Sequence, residues 1–373
     1  MNDDLPPQAD QIDGAPHPRD TARLIGQGAA EAAFLEAFNS GRLHHAWLIT
    51  GPRGVGKATL AWQLARFLIA NPPDEGDALF APPKPDSLMI SQDHPVNRRI
   101  QALSEPSLML LRRPWDEKTK RLRAEITVEE VRKLNSFFGL SAVDGGRRVV
   151  IVDAADEMNT SAANALLKVL EEPPKNTTLL LISHQPSRLL PTIRSRCRSL
   201  RLGTLGPQDM AQALDLAGIE AKDAGALAEL AEGSVGEAAR LCDLGGLALY
   251  GDLVALFSTL PRMDRALAAR LADGCVGKGA EGRFDLTLVL LDRLLSRLAR
   301  TGSLGVTPTA IVEGEVEMLA RLAPDPQAAR DWADLSQSLT SRARRGKAVN
   351  LDPAALILDM CFGIEKTAAR LPA

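Results

Sequence analysis

The run Gly51-Pro52-Arg53-Gly54-Val55-Gly56-Lys57 has the spacing of a phosphate-binding loop, and its flanks suit that reading. An apolar, strand-like stretch at 46–50 precedes it, and an apolar helical run at 59–65 follows. Strand, glycine-rich turn and helix N-terminus is the order in which backbone N–H groups can close around phosphate oxygens. Lys57 would add a point charge to them. The next position departs from the pattern. A Ser or Thr hydroxyl normally holds Mg²⁺ there, and this chain has Ala58. Thr59, about 100° further round the helix, is expected to point elsewhere. The loop reads as built to hold a nucleotide and poorly equipped to hydrolyse one.

From about Thr21 to Leu202 strand-like and helix-like segments alternate. Apolar strands are expected at 46–50, 107–111, 148–152 and 178–182, with amphipathic helices at 29–39, 57–70, 127–138 and 160–171. That alternation predicts an α/β domain with a parallel sheet covered on both faces. A segment at 71–88 with five prolines interrupts it and is expected to be a surface excursion. Beyond 202 the strand signal disappears. Residues 207–242 read as short helices broken near Gly218 and at 232–234, and the remainder to 373 is rich in alanine and leucine at helical spacing. Leu286, Val289, Leu290, Leu294 and Leu298 fall on one helical face. Residues 1–20, polar and with four prolines, are expected to form a flexible tail.

The expected organisation is therefore a tail at 1–20, a P-loop α/β domain at 21–204, a small helical module at 205–245 and a larger all-α domain at 246–373. A length of 373 residues accommodates two or three domains with real cores. The longest apolar runs, such as 354–358 and 288–291, fall far short of the ~20 residues of a membrane span. No secretory signal is visible, and Cys197, Cys242, Cys275 and Cys361 show no zinc-ligand spacing. Reduced thiols in a cytoplasm fit best. A net charge of −3 does not suggest a dedicated nucleic-acid binder, so any DNA contact would come from local patches. The basic clusters at 112–123 and 342–347 read first as solvated faces.

A P-loop needs an acidic residue at the end of a neighbouring strand to organise Mg²⁺. The run 148–153 supplies both the strand and Asp153. In ATPases that place a glutamate next, that residue polarises the attacking water; here it is Ala154. Asp156 and Glu157 follow, on a chain leaving the strand, and need not face the γ-phosphate.

The segment beyond Asp153 is more specific than either half-site. It runs Ala155-Asp156-Glu157-Met158-Asn159, then Ala162-Ala163-Asn164-Ala165-Leu166-Leu167-Lys168-Val169-Leu170-Glu171-Glu172-Pro173-Pro174, and reaches Ser195-Arg196-Cys197. From about Leu24 to Arg240 this resembles bacterial clamp-loader subunits of the AAA+ class, and among them the delta-prime subunits of DNA polymerase III. The resemblance implies an AAA+ domain followed by a helical lid at 205–245 and a helical collar at 246–373. It also implies that Arg196, within the family's Ser-Arg-Cys motif, reaches the ATP of an adjacent subunit. A permanently charged planar guanidinium suits charge developing on a γ-phosphoryl group.

By the same resemblance, Gly51, Gly54, Gly56, Lys57 and Asp153 would bind ATP or ADP statically. Gly236 stands where ATP-hydrolysing subunits carry an arginine. His184 follows a strand where related ATPases place a polar γ-phosphate sensor, although it also reads as an ordinary loop histidine. Cys197 reads as a small packing residue. The family's zinc module is absent, because 71–114 contains no cysteine, so neither zinc nor any other metal is expected. The implied partners are the tau/gamma and delta subunits and, through the assembly, the sliding clamp and primer–template DNA. No catalysis is expected of the isolated chain; polymerase activity would belong to the holoenzyme. The alternative is a working gamma/tau-type ATPase or a related DNA-remodelling motor, against which Ala58, Ala154 and Gly236 stand.

Overall fold

The computed structural model describes residues 8–12, 14–21, 23–73, 83–139, 146–277 and 280–371. The expected tail at 1–7 and at 13, and the proline-rich segment at 74–82, lie outside the described residues. The chain divides into two compact units, Met1–Ile219 with Glu232–Glu237, and Glu220–Ala231 with Ala238–Ala373.

The first unit contains, in chain order, α1 (Gly28–Asn39), β1 (Ala46–Thr50), α2 (Lys57–Ala70), α3 (Pro95–Gln101), β2 (Leu108–Arg112), β3 (Trp115–Asp116), β4 (Arg121–Leu122) and α4 (Val128–Gly139). It continues with β5 (Arg148–Asp153), α5 (Thr160–Glu171), β6 (Thr177–Ser183), α6 (Pro191–Arg194), β7 (Arg198–Arg201) and α7 (Pro207–Leu216). Five strands form one parallel sheet in the order β2-β5-β6-β1-β7, while β3 and β4 pair separately as an antiparallel hairpin. The parallel sheet, its covering helices and the helical C-terminal region form the architecture expected of the AAA+ class.

Successive side chains of a strand point to opposite faces, and this sheet buries both. Trp47 and Ile49 of β1, Val149 and Ile151 of β5, and Leu180 and Ile182 of β6 join Phe34 of α1 and Leu60, Leu64 and Phe67 of α2 in one core. The alternate residues, Leu48, Val150, Val152, Leu179 and Leu181, join Val131 and Leu134 of α4 and Leu166 and Leu170 of α5 in a second core. This two-sided burial explains why the strands read as continuous apolar runs. It also fixes register, because a one-residue slip would exchange the two cores. The topology brings the C-terminal ends of β5, β6 and β1 together, and the loop 51–56 leaves from β1, beside the central strand β6.

The second unit is helical throughout its described residues. It comprises α8 (Ala224–Leu230), the end of α9 (Val235–Asp243), α10 (Gly246–Ser258), α11 (Arg265–Asp273), α12 (Glu281–Leu304), α13 (Glu315–Leu322), α14 (Pro326–Ala348) and α15 (Pro353–Ala368). The helix starts are set locally. Asp223, Asp264, Asp325 and Asp352 each accept backbone N–H bonds at the N-termini of α8, α11, α14 and α15. Leu286, Leu290, Leu294 and Leu298 of α12 are fully buried, whereas Val289 is only partly so. A buried polar cluster ties this unit together. The Glu315 carboxylate, fully shielded from solvent, accepts from Tyr250 Oη (2.6 Å), Arg297 Nε (2.7 Å) and the backbone N–H of Ile311 (2.6 Å).

Candidate nucleotide-binding site

Loop 51–56 takes the conformation that its glycines permit. Gly56 is the left-handed N-cap of α2 (φ +97°), and a Cβ there would meet Leu24 Cδ1 at 2.6 Å. Gly54 lies so close to Ser234 that a Cβ would come within 2.3 Å of its hydroxyl, and the N–H of Gly236 donates to the Gly54 carbonyl at 2.9 Å. The Gln27 amide braces the loop from the other side, donating to the carbonyls of Val55 (3.3 Å) and Gly203 (2.9 Å).

The loop borders a cavity of about 200 Å³ within the first unit, whose wall includes Gly54, Gly56, Lys57, Asp153, His184 and Gly236. The sheet and the α2 N-terminus thus bring the predicted P-loop and acidic residues to one place. Gly51 is not part of this wall. It takes a positive φ of 145°, and a Cβ there would strike the Leu202 carbonyl at 2.5 Å. Ala58 and Thr59 also line the cavity. Thr59 was expected to point elsewhere, but the first turn of α2 abuts the cavity closely enough for three successive residues to reach it.

Lys57 folds back on the loop, donating to the carbonyls of Gly51 (2.8 Å) and Pro52. Burial lowers its ammonium pKa to about 8, partly offset by Asp153 and Asp156. Asp153 moves the other way. Burial, then the nearby Asp10 and Glu157 carboxylates, raise it to about 7 against the opposing pull of Lys57 and Arg112. An ammonium short of solvation and a carboxylate short of cations together make a site that an anion–metal pair would relieve. Gly54, Gly56, Lys57 and Asp153 meet at this cavity, with the Gly51 carbonyl behind them accepting from the Lys57 ammonium.

The other carboxylates near Asp153 are occupied. Asp156 accepts the N–H groups of His184 (3.0 Å) and Gln185 (3.2 Å), and Glu157 pairs with Arg113 at 2.7 Å. Both carboxylates are thus engaged by neighbouring groups. Ala154 itself is buried. His184 stands at the cavity with its pKa lowered to about 4 by burial and by the Lys57 charge, so its imidazole is neutral at ordinary pH. Its Nδ1 is buried without a hydrogen-bond partner.

The described part of the expected tail is packed, in contrast to the flexibility read from its composition. Asp10 and His17 are buried; Asp10 pairs with His17 at 3.3 Å and also with Arg112, and Arg112 sits beside Asp153 in the β2–β5 register. Ile12, Ala15 and Pro16 line the cavity. Sequence reading missed this clasp, and it missed Gln27. The one local signal was Pro16 and Pro18 on either side of His17, which stiffen the segment and lower the entropy lost on docking.

Arg196 stands apart from the cavity. Its guanidinium is half-buried, 2.8 Å from Glu171 and donating to the Thr192 carbonyl at 3.1 Å. Cys197 packs against the second sheet core, and burial pushes its thiol up to about 12. A thiol so hard to ionise is inert, in keeping with a packing role.

The family described as "DNA polymerase III, delta subunit" matches residues 26–206. Over 153 residues the chain is 44% identical to DNA polymerase III subunit delta-prime of Pseudomonas aeruginosa, covering 41% of each chain. Residues 26–206 are thus similar to the delta-prime subunits of DNA polymerase III. The delta-prime subunit of Escherichia coli is 36% identical over 163 residues, or 43% of each chain. A DNA polymerase III gamma/tau subunit of Mycobacterium tuberculosis is 28% identical over 319 residues, covering 81% of this chain and 43% of that one. The chain thus spans less than half the length of these delta-prime and gamma/tau relatives. Among the described residues no single helix is long and apolar enough to cross a membrane, and no group of three or more His, Cys, Asp or Glu side chains is placed to hold a metal ion.

Proposed function

We propose that this chain is a non-catalytic clamp-loader subunit of the DNA polymerase III holoenzyme, acting in the cytoplasm during DNA replication. In this reading the chain keeps a nucleotide pocket that holds ATP or ADP without turnover. Gly51, Gly54, Gly56, Lys57 and Asp153 hold the nucleotide. Arg196 is lent in trans to the ATP of a neighbouring tau/gamma subunit, the delta subunit completes the ring, and the assembly acts on the sliding clamp and primer–template DNA. Residues 21–204 serve as the AAA+ domain, 205–245 as the lid and 246–373 as the collar that joins the subunits.

One observation carries the reading. The positions a working ATPase needs at its own site, 58, 154 and 236, are Ala, Ala and Gly, while the arginine of the Ser-Arg-Cys motif stands outside that site, on the surface. The test is Arg196→Ala in a complex reconstituted with tau/gamma, delta and clamp. Trans-acting arginines are worth roughly 10³–10⁵ in rate in comparable NTPases, so a loss of at least tenfold (~1.4 kcal/mol) in DNA-stimulated ATP turnover is expected. Unchanged turnover and clamp loading would leave Arg196 without a role.

The gamma/tau match across 81% of the chain favours a second reading, a working ATPase of that type. Turnover of about 1 s⁻¹ or faster by the purified chain, the lower end for phosphoryl-transfer enzymes, would establish it.

A further inference from the structure

Residues 112–123 hold six of the chain's Lys and Arg residues against two carboxylates, a local balance of +4 in a chain of net charge −3. The structure divides these cations into two sets. At the base of the β3–β4 hairpin, Arg112 pairs with Asp10, Arg113 with Glu157 and Arg123 with Asp116. At the tip, Lys118, Lys120 and Arg121 are exposed, and no carboxylate among the described residues pairs with them. In the basic cluster at 342–347, Arg342 pairs with Asp359 and Lys347 with Asp285, while Arg344 and Arg345 are exposed along α14.

The tip is held in shape. The Asp116 carboxylate accepts from the N–H groups of Lys118 (3.0 Å) and Thr119 (3.1 Å), and Lys120 takes a left-handed turn conformation (φ +49°). Below it, Trp115 pairs with Leu122, and the N–H of Arg123 donates to the Pro114 carbonyl at 2.9 Å. The hairpin also lacks what a protein interface is built around. None of the large exposed apolar side chains lies on it; the nearest in sequence, Leu103, precedes β2.

We propose that this tip is a direct contact for the sugar–phosphate backbone of duplex DNA, with Lys118, Lys120 and Arg121 as its three cations. Four consecutive residues span at most about 11 Å. A duplex presents one negative charge per about 1.7 Å of axis, so all three side chains can meet neighbouring phosphates at once. Binding of this kind is sequence-independent and driven by counterion release. The fixed turn lowers the ordering cost of presenting the charges. The proposal stands on charge and geometry alone and does not depend on the role given to Arg196.

The experiment measures binding of a fluorescent DNA duplex of arbitrary sequence to the isolated full-length chain across a salt series. Lys118→Ala/Lys120→Ala/Arg121→Ala is compared with wild type and with Arg344→Ala/Arg345→Ala. The hairpin variant is expected to bind at least roughly tenfold more weakly at low salt. Its slope of log affinity against log salt should be shallower by up to about 3, while the control is unchanged. If the alanine variant melts below wild type, the Gln version at the same three positions keeps the side chains extended and carries the same expectation. Three results would overturn the proposal: wild-type affinity and slope in the variant, no binding by wild type at low salt, or displacement of the duplex by polyglutamate at matched charge concentration. The last would identify an acidic polypeptide as the better ligand.

Discussion

Arg196 and Glu171 are joined by an ion pair at 2.8 Å in which both side chains remain substantially in contact with water. Pairs of this kind contribute about 0–1 kcal/mol, so the contact parks the guanidinium without binding it tightly. Glu171→Ala should therefore change the urea midpoint of the chain very little. In the reconstituted complex it should preserve ATP turnover or raise it, in contrast to the loss expected for Arg196→Ala. A large fall in turnover with Glu171→Ala would mean that the carboxylate positions the arginine.

Nucleotide affinity should depend on the charge of Lys57. Its folded-state pKa of about 8 means that the free loop loses its cation as pH rises through 8. A bound phosphate favours the charged form, so the dissociation constant for ATP or ADP should rise with pH above about 8 and be nearly flat below it, as far as this group is concerned. Titration calorimetry across pH 7–9.5 checks this. Lys57→Ala should bind weakly at every pH and lose the dependence.

Asp153 gives a second pH effect, this time on stability. Its pKa is raised in the folded chain from 3.8 to about 7, so between those values the folded state binds more protons than the unfolded state. Its contribution to stability is complete below about pH 4 and is lost as pH rises through 7. Asp153→Asn should flatten that portion of the stability curve measured by urea unfolding. Asp10→Asn, which removes a neighbouring negative charge, should move the transition to lower pH.

In the second unit, Glu315→Ala should be costly. It leaves Arg297 and the Tyr250 hydroxyl largely shielded from water without their shared acceptor. Breaking a buried pair by removing one partner typically costs about 3–5 kcal/mol. Urea unfolding followed by the far-ultraviolet helix signal measures it. Glu315→Gln, which retains an acceptor oxygen, should lose less.

The sheet was legible in the sequence wherever burial on two faces made its strands continuously apolar, as at 46–50 and 178–182. It was not legible at β7, where Arg198-Ser199-Leu200-Arg201 buries only Leu200 at a sheet edge. Nor was it legible in the β3–β4 hairpin, whose two-residue strands carry no periodicity. The short helices at 207–216, 224–230 and 235–243 could be read because Gly218 and the 232–234 turn punctuate them. In the site, the P-loop was evident because its chemistry is contiguous. The commitment of Asp156 to His184 and of Glu157 to Arg113 depends on partners 28 and 44 residues away, and the Asp10–Arg112 pair on one 102 residues away, distances that no local pattern encodes.

The close packing around Gly236 bears on how such a subunit could change over time. A Cβ at that position would fall 2.3 Å from Ile12 Cδ1 and 3.1 Å from the Cα of Gly54, and Ala154 is sealed from solvent where a glutamate would need room and water. Placing an arginine at 236 and a glutamate at 154 would thus disturb the N-terminal clasp and the phosphate loop. The neighbours of positions 154 and 236 are packed around small side chains. A hydrolytic site could therefore not be built here by one substitution; the packing around both positions would have to change with it.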